Sequence, residues 1–201
     1  MSETGDILRS IDGPLTDSLR VELGVWRAVE YLQAARFQQQ RVEQWLYGPE
    51  PRRRTTTVPL DQGTALCEAH FLFICWDTIR KTIDHLRQNA YGLVTSRETL
   101  RRYGEPLRHY SIARDHLEHL TERYPGRHRS DWEGDSNSIS GSVPGIRRTG
   151  HFVFQGLEWD VTESSIVLLG EIVAGFVNGI TAELRERRNS YLRGESAVRR
   201  T

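Results

Sequence analysis

The residues best placed to do chemistry in this chain stand together: Arg114, Asp115, His116, Glu118 and His119 occupy six consecutive positions inside the segment Tyr110 to Tyr124. Apolar residues recur through that segment at helical spacing, so the polar groups ride on an amphipathic helix. An imidazole titrates near neutral pH and can move protons, while a guanidinium can stabilise charge growing on phosphate oxygens. Asp115 and His119 are four apart and share a face, which lets the carboxylate orient the imidazole and raise its pKa. Glu118 lies four beyond Arg114 and is in reach of its guanidinium. Arg114 itself falls on an apolar seam, where a charge is costly unless an anion meets it. Along a regular helix Arg114 and His119 point roughly 140° apart. A local distortion, or two copies facing each other in a dimer, would bring them together.

Other chemistries fit less well. His109, His116 and His119 follow at spacings of seven and three, and His109 and His116 share a face. Helical metal sites draw ligands from facing helices, and no second helix offers a matching Glu-x-x-His or His-x-x-His, so neither metal nor cofactor is expected. His70 and His85 read as hydrogen-bonded packing histidines. There is no glycine-rich phosphate loop, serine nucleophile elbow or P-loop lysine.

The elements that must hold these residues are mainly helical. The 201 residues suit one domain, and the 27 basic and 27 acidic residues cancel, so RNA or a membrane surface could be met only through a local patch. Residues 1–16 read as a loose arm. A long helix from about Asp17 to Leu46 carries Leu19, Leu23, Trp26, Val29 and Leu32 as its expected buried stripe, resumed by Val42, Trp45 and Leu46. A linker follows with Arg52, Arg53 and Arg54, either a phosphate-contacting run or a solvated turn.

The second helix, about Asp61 to Asn89, repeats Leu72, Trp76, Ile79, Ile83 and Leu86 at spacings of four and three. Thr95 and Glu98 have capping-box spacing for the third helix, in which Pro106 should kink or restart the chain. Residues 127–162 read as a long loop leading to a hairpin over His151 to Val161. A lone hairpin is marginal, so it should pack on the helices or on a second copy. After Thr162 a last helix runs to about Leu192, with Gly175 and Gly179 allowing close approach of a neighbour, and 193–201 form a tail. The expected architecture is thus mainly all-α: a four-to-five-helix antiparallel bundle over 17–192, with a small β-hairpin inserted before the last helix. Cys67 and Cys75, eight apart on one helix, lie about 12 Å apart along its axis and cannot bridge. The apolar run Ile166 to Ile180 is short for a membrane span and holds Glu171 and Asn178. With no leader-like start, a reducing cytoplasm is the expected home.

The stretch Arg114-Asp115-His116-Leu117-Glu118-His119 resembles the motif of the HEPN superfamily (higher eukaryotes and prokaryotes nucleotide-binding): an arginine, a polar residue after it, and a histidine a few residues on. The helical order, with the motif on the third helix and a final apolar helix, is similar to that family's bundle, and Leu120 to Gly126 is similar to its bacterial members. The resemblance implies metal-independent RNA cleavage by a homodimer whose two motifs form one composite site, in a bacterial defence or toxin–antitoxin context. His119 would exchange the proton, Arg114 would stabilise the phosphate, and Asp115, Glu118 and His116 would support them, leaving a 2′,3′-cyclic phosphate. Thr121 stands where the toxin branch has a tyrosine. Because net charge is zero, Arg52, Arg53, Arg54, Arg127, Arg129, Arg147 and Arg148 would have to line the RNA groove. The two copies would meet through the face carrying the third helix. The rival expectation is a non-catalytic helical dimerisation or interaction module that docks a protein partner, with Arg114 and Glu118 as a helix ion pair.

Overall fold

The repeat of large apolar residues along the second helix decides the architecture, because a helix apolar nearly all round must be wrapped by others. The computed structural model describes residues 14–47, 60–89, 93–118, 145–147 and 149–193. In it that helix is α2 (Leu60–Asn89), flanked by α1 (Pro14–Tyr47) and α3 (Val94–Glu118), while α4 (Glu163–Leu192) closes against α1 and α3. Leu72, Phe73, Trp76, Ile79 and Ile83 of α2 are fully buried. Neighbouring helices run antiparallel: Gly24 lies against Leu86 while Arg41 pairs with Glu68, and Arg114 pairs with Asp77 while Arg80 meets Ser111. Helix makes up 85% of the described residues, which places the chain in the mainly α class.

α1 departs from the expected packing. Its buried side is Val21, Ala28, Leu32, Ala35, Gln39 and Val42, whereas Leu19, Leu23 and Trp26 are exposed. The small residues face inward because α1 comes close to α2: a Cβ on Gly24 would stand 2.6 Å from Leu86 Cδ1. Larger side chains do not fit between helices at that separation.

α3 passes through Pro106 without interruption, and a residue from another helix caps its start. Glu183 of α4 accepts hydrogen bonds from the backbone N–H groups of Val94 and Thr95 at 3.1 Å and from the Thr95 hydroxyl at 3.0 Å. The carboxylate takes orphan donors at the positive end of the helix, where a negative charge is stabilised. Close packing of α4 allows this, since a Cβ on Gly179 would lie 2.5 Å from Thr95 Cγ2; Gly175, by contrast, faces open space.

The hairpin before α4 has a third strand. β1 (Gly145–Ile146) pairs with β2 (His151–Phe154), which pairs antiparallel with β3 (Leu157–Asp160). Gln155 and Gly156, with φ of 50° and 78°, form the two-residue turn whose positive φ values suit the twist of the strands. Phe152, Phe154 and Trp159 enter the core. Trp159 Nε1 donates to the His109 carbonyl at 2.8 Å and the Tyr110 hydroxyl donates to the Asp160 carbonyl at 2.8 Å, fastening the sheet to α3. Thr162 caps α4, its hydroxyl accepting from Ser164 N–H.

By length and composition α4 could cross a membrane, since its 30 residues include a stretch of mean hydropathy 1.7. Here Leu169, Ile172, Val173, Phe176 and Ile180 are buried in the bundle. That packing is compatible with a soluble protein.

Candidate functional site

α2 reads Phe71-Leu72-Phe73-Ile74-Cys75-Trp76 and then, without leaving the core, Asp77. That carboxylate is only 2% exposed and must be met by cations or it would not stay ionised. Arg80 and Lys81, three and four residues on, return to it along the helix surface, Arg80 Nη2 at 3.0 Å and Lys81 Nζ at 2.8 Å. From α3, Arg114 donates through Nη1 to Oδ2, the oxygen that Lys81 also meets, while Arg80 holds Oδ1. Ser111, one turn before Arg114, accepts from Arg80 Nε at 2.8 Å and donates to the Leu107 carbonyl at 3.0 Å. Burial alone would raise the Asp77 carboxyl. Hydrogen bonds with Lys81, Ser111 and Arg80 and the charge of Arg114 outweigh it and hold the group below its usual value of 3.8.

The outer side of Arg114 is occupied as well. Asp115 accepts from its Nη2 and, at 3.1 Å, from its Nε; Glu118 Oε2 lies 3.4 Å from Nε. The guanidinium, its side chain 19% exposed, is therefore met by three carboxylates of its own protomer. Burial would lower its pKa, but Asp115, Asp77 and Glu118 raise it overall. Three cations (Arg80, Lys81, Arg114) stand against three anions (Asp77, Asp115, Glu118).

His70 joins the edge of this network from two turns earlier on α2. Its Nε2 is buried without a hydrogen-bond partner, and its ring stacks near Phe71. Burial lowers its pKa below 6.5, with Glu118 opposing that shift and Arg114 adding to it. The imidazole is therefore neutral at pH 7.

The sequence-derived site residues divide sharply. Arg114, Asp115 and Glu118 come together. His116 does not join them: it is fully buried on the other side of α3, edge-on to Phe154 at 5.1 Å and Trp159 at 5.6 Å. His109 stacks on Trp159 at 5.3 Å and holds the Glu158 carbonyl through Nε2 at 3.0 Å. The two histidines that share a face thus grip the sheet. Arg147 is exposed and pairs with Glu158 at 3.1 Å. His119, Arg52, Arg53, Arg54, Arg127, Arg129 and Arg148 lie outside the described residues. Asp77, Arg80 and Lys81 were missed by the motif reading. Their signal was an aspartate ending an apolar run, followed by cations at the helical spacings of three and four.

No protein-family model matches the chain, and no curated protein or solved structure is significantly similar to it.

Proposed function

We propose that this chain is a non-catalytic helical interaction module, HEPN-like in layout, that assembles with protein in a reducing cytoplasm. One observation carries the reading: the guanidinium of Arg114 is already engaged by Asp77, Asp115 and Glu118. Arginine recognises phosphate through the paired N–H groups of its fork, and the Nε–Nη2 edge is taken by Asp115. A phosphate would have to displace that carboxylate and enter a cluster whose formal charges already cancel.

A second reading, an RNA-directed metal-independent endoribonuclease working as a homodimer through Arg114 and His119, is favoured by a different observation. Arg114 stands near the end of α3 beside a neutral imidazole, His70, so a guanidinium and a proton acceptor share one neighbourhood. In that case a second copy meeting the α3 face would draw Asp115 away and free the fork.

Incubation of the purified chain with a pool of structured RNAs in EDTA separates the two. The module reading expects wild type, Arg114→Ala and His119→Ala to be equally inert. Cleavage by wild type that survives the chelator and vanishes in both variants would establish the nuclease instead.

A further inference from the structure

We propose that the solvent-facing side of α3 docks against the same side of a second copy of this chain, the two helices antiparallel about a two-fold axis beside Tyr103. The inference rests on the module reading and names its partner.

Val94, Glu98, Arg101, Glu105, Arg108 and Ile112 follow one another at alternating steps of four and three, so they form a single stripe along α3. Val94 is 51% exposed, the four charged residues are exposed and Ile112 is half-buried. On α2 and α4, opposite charges at helical spacing pair with each other at the surface: Asp84 with Arg87 and Glu183 with Arg187, both at 2.8 Å. Glu98, Arg101, Glu105 and Arg108 have the same spacings, yet none of the four has an ion pair or hydrogen bond with a described residue. Their charges stand ready for another molecule. Gly104, on the edge of the stripe, points the same way. Inside a helix glycine costs about 1 kcal/mol relative to alanine. No atom lies within 4 Å of where its Cβ would stand, so packing within the protomer does not call for it. The close approach of a second backbone would.

The order of charges specifies the partner. In an antiparallel helix pair the two kinds of seam position meet each other across the interface. With the axis beside Tyr103, Val94 meets Ile112 of the second copy, Glu98 meets Arg108 and Arg101 meets Glu105, and the symmetry makes each contact twice. Every layer is then apolar on apolar or opposite charge on opposite charge. Sliding by one heptad either way sets Val94 on Glu105 or Ile112 on Arg101, and a parallel pair sets each charge on its own copy. The two copies of Gly104 flank the axis, where the backbones come closest. Arg102, which would otherwise approach its own copy there, lies over the Tyr103 ring at 5.0 Å.

Sedimentation equilibrium of the full chain tests this, in reductant because Cys67 is exposed. Wild type is expected to dimerise at about 100 micromolar in about 0.05 M salt and to shift to monomer at about 0.5 M, where exposed charges are screened. Arg101→Glu and Glu105→Arg should each raise the dissociation constant about tenfold or more with the helical circular dichroism unchanged. An equimolar mixture of the two variants should dimerise as wild type does, because each chain then meets the opposite charge on the other. Mixing cannot repair a pair within one helix, so the rescue isolates the contact between copies. Gly104→Leu should weaken the dimer about tenfold while the fold stands. A wild type that stays monomeric, a dimer indifferent to salt, or variants that do not rescue each other would overturn the proposal. These failures are distinct from failure of the module reading, which Arg114-dependent RNA cleavage would end.

Discussion

Asp77 is the residue on which the site turns. It is nearly inaccessible and three cations converge on it, so Asp77→Asn leaves Arg114, Arg80 and Lys81 without their buried anion. A loss of about 3–5 kcal/mol in unfolding free energy is expected, whereas Asp115→Asn at the exposed rim should cost about 1 kcal/mol or less. Urea unfolding of both variants checks the contrast, and equal losses would contradict it. The titrations carry matching signs. Asp77 has a depressed pKa, so its contribution is complete above its ordinary 3.8 and is lost as pH falls through the lower folded value. His70, also depressed, acts from higher pH: below its ordinary 6.5 the unfolded chain takes up a proton that the folded chain resists, and stability falls. His70→Gln should therefore flatten the unfolding free energy just below pH 6.5, measured by urea titration at several pH values. An unchanged slope there would remove His70 from the account.

At the scale of elements, the contact between α4 and the start of α3 is specific enough to test. Glu183→Ala removes a cap supplied from another helix and should cost about 1 kcal/mol. Gly179→Ala should also destabilise, by about 1 kcal/mol, although alanine is the better helix former. The added Cβ meets Thr95, which cannot turn away while its hydroxyl is held by Glu183. Thermal unfolding would show both effects; a stabilised Gly179→Ala would contradict the close approach. The sequence made most elements legible, because α2 and α4 hold apolar repeats that fit only one face arrangement, and Gln155-Gly156 sits between alternating strands. It misled at α1, where two seams compete and the larger residues of the outer one outweigh Ala28 and Ala35 on any hydrophobicity reading. The inner seam is chosen by helix separation, which depends on Gly24 meeting Leu86 and is invisible in periodicity. The cap at α3 was hidden for a similar reason: Thr95 and Glu98 have local capping spacing, but the donors are taken by a residue 88 positions away.

For the whole molecule, the arrangement separates two surfaces. α1 and α3 each pack on α2 and on α4; the exposed outer seam belongs to α1, and the charged cluster of Arg114 belongs to α2 and α3. The motif that drew attention in the sequence is the better satisfied of the two, and the stripe that looked like core is the one left open. Half of the motif was readable because Arg114, Asp115 and Glu118 are neighbours on one helix. Its decisive partner, Asp77, comes from another helix, 37 positions earlier. The most direct test of a network closed within the protomer is a double-mutant cycle of Asp77→Asn and Arg114→Met, followed by urea unfolding. A coupling of about 1.5–3 kcal/mol is predicted. Additivity within about 0.5 kcal/mol would mean that Arg114 is not held by Asp77, and would return its guanidinium to the list of groups free to meet a phosphate.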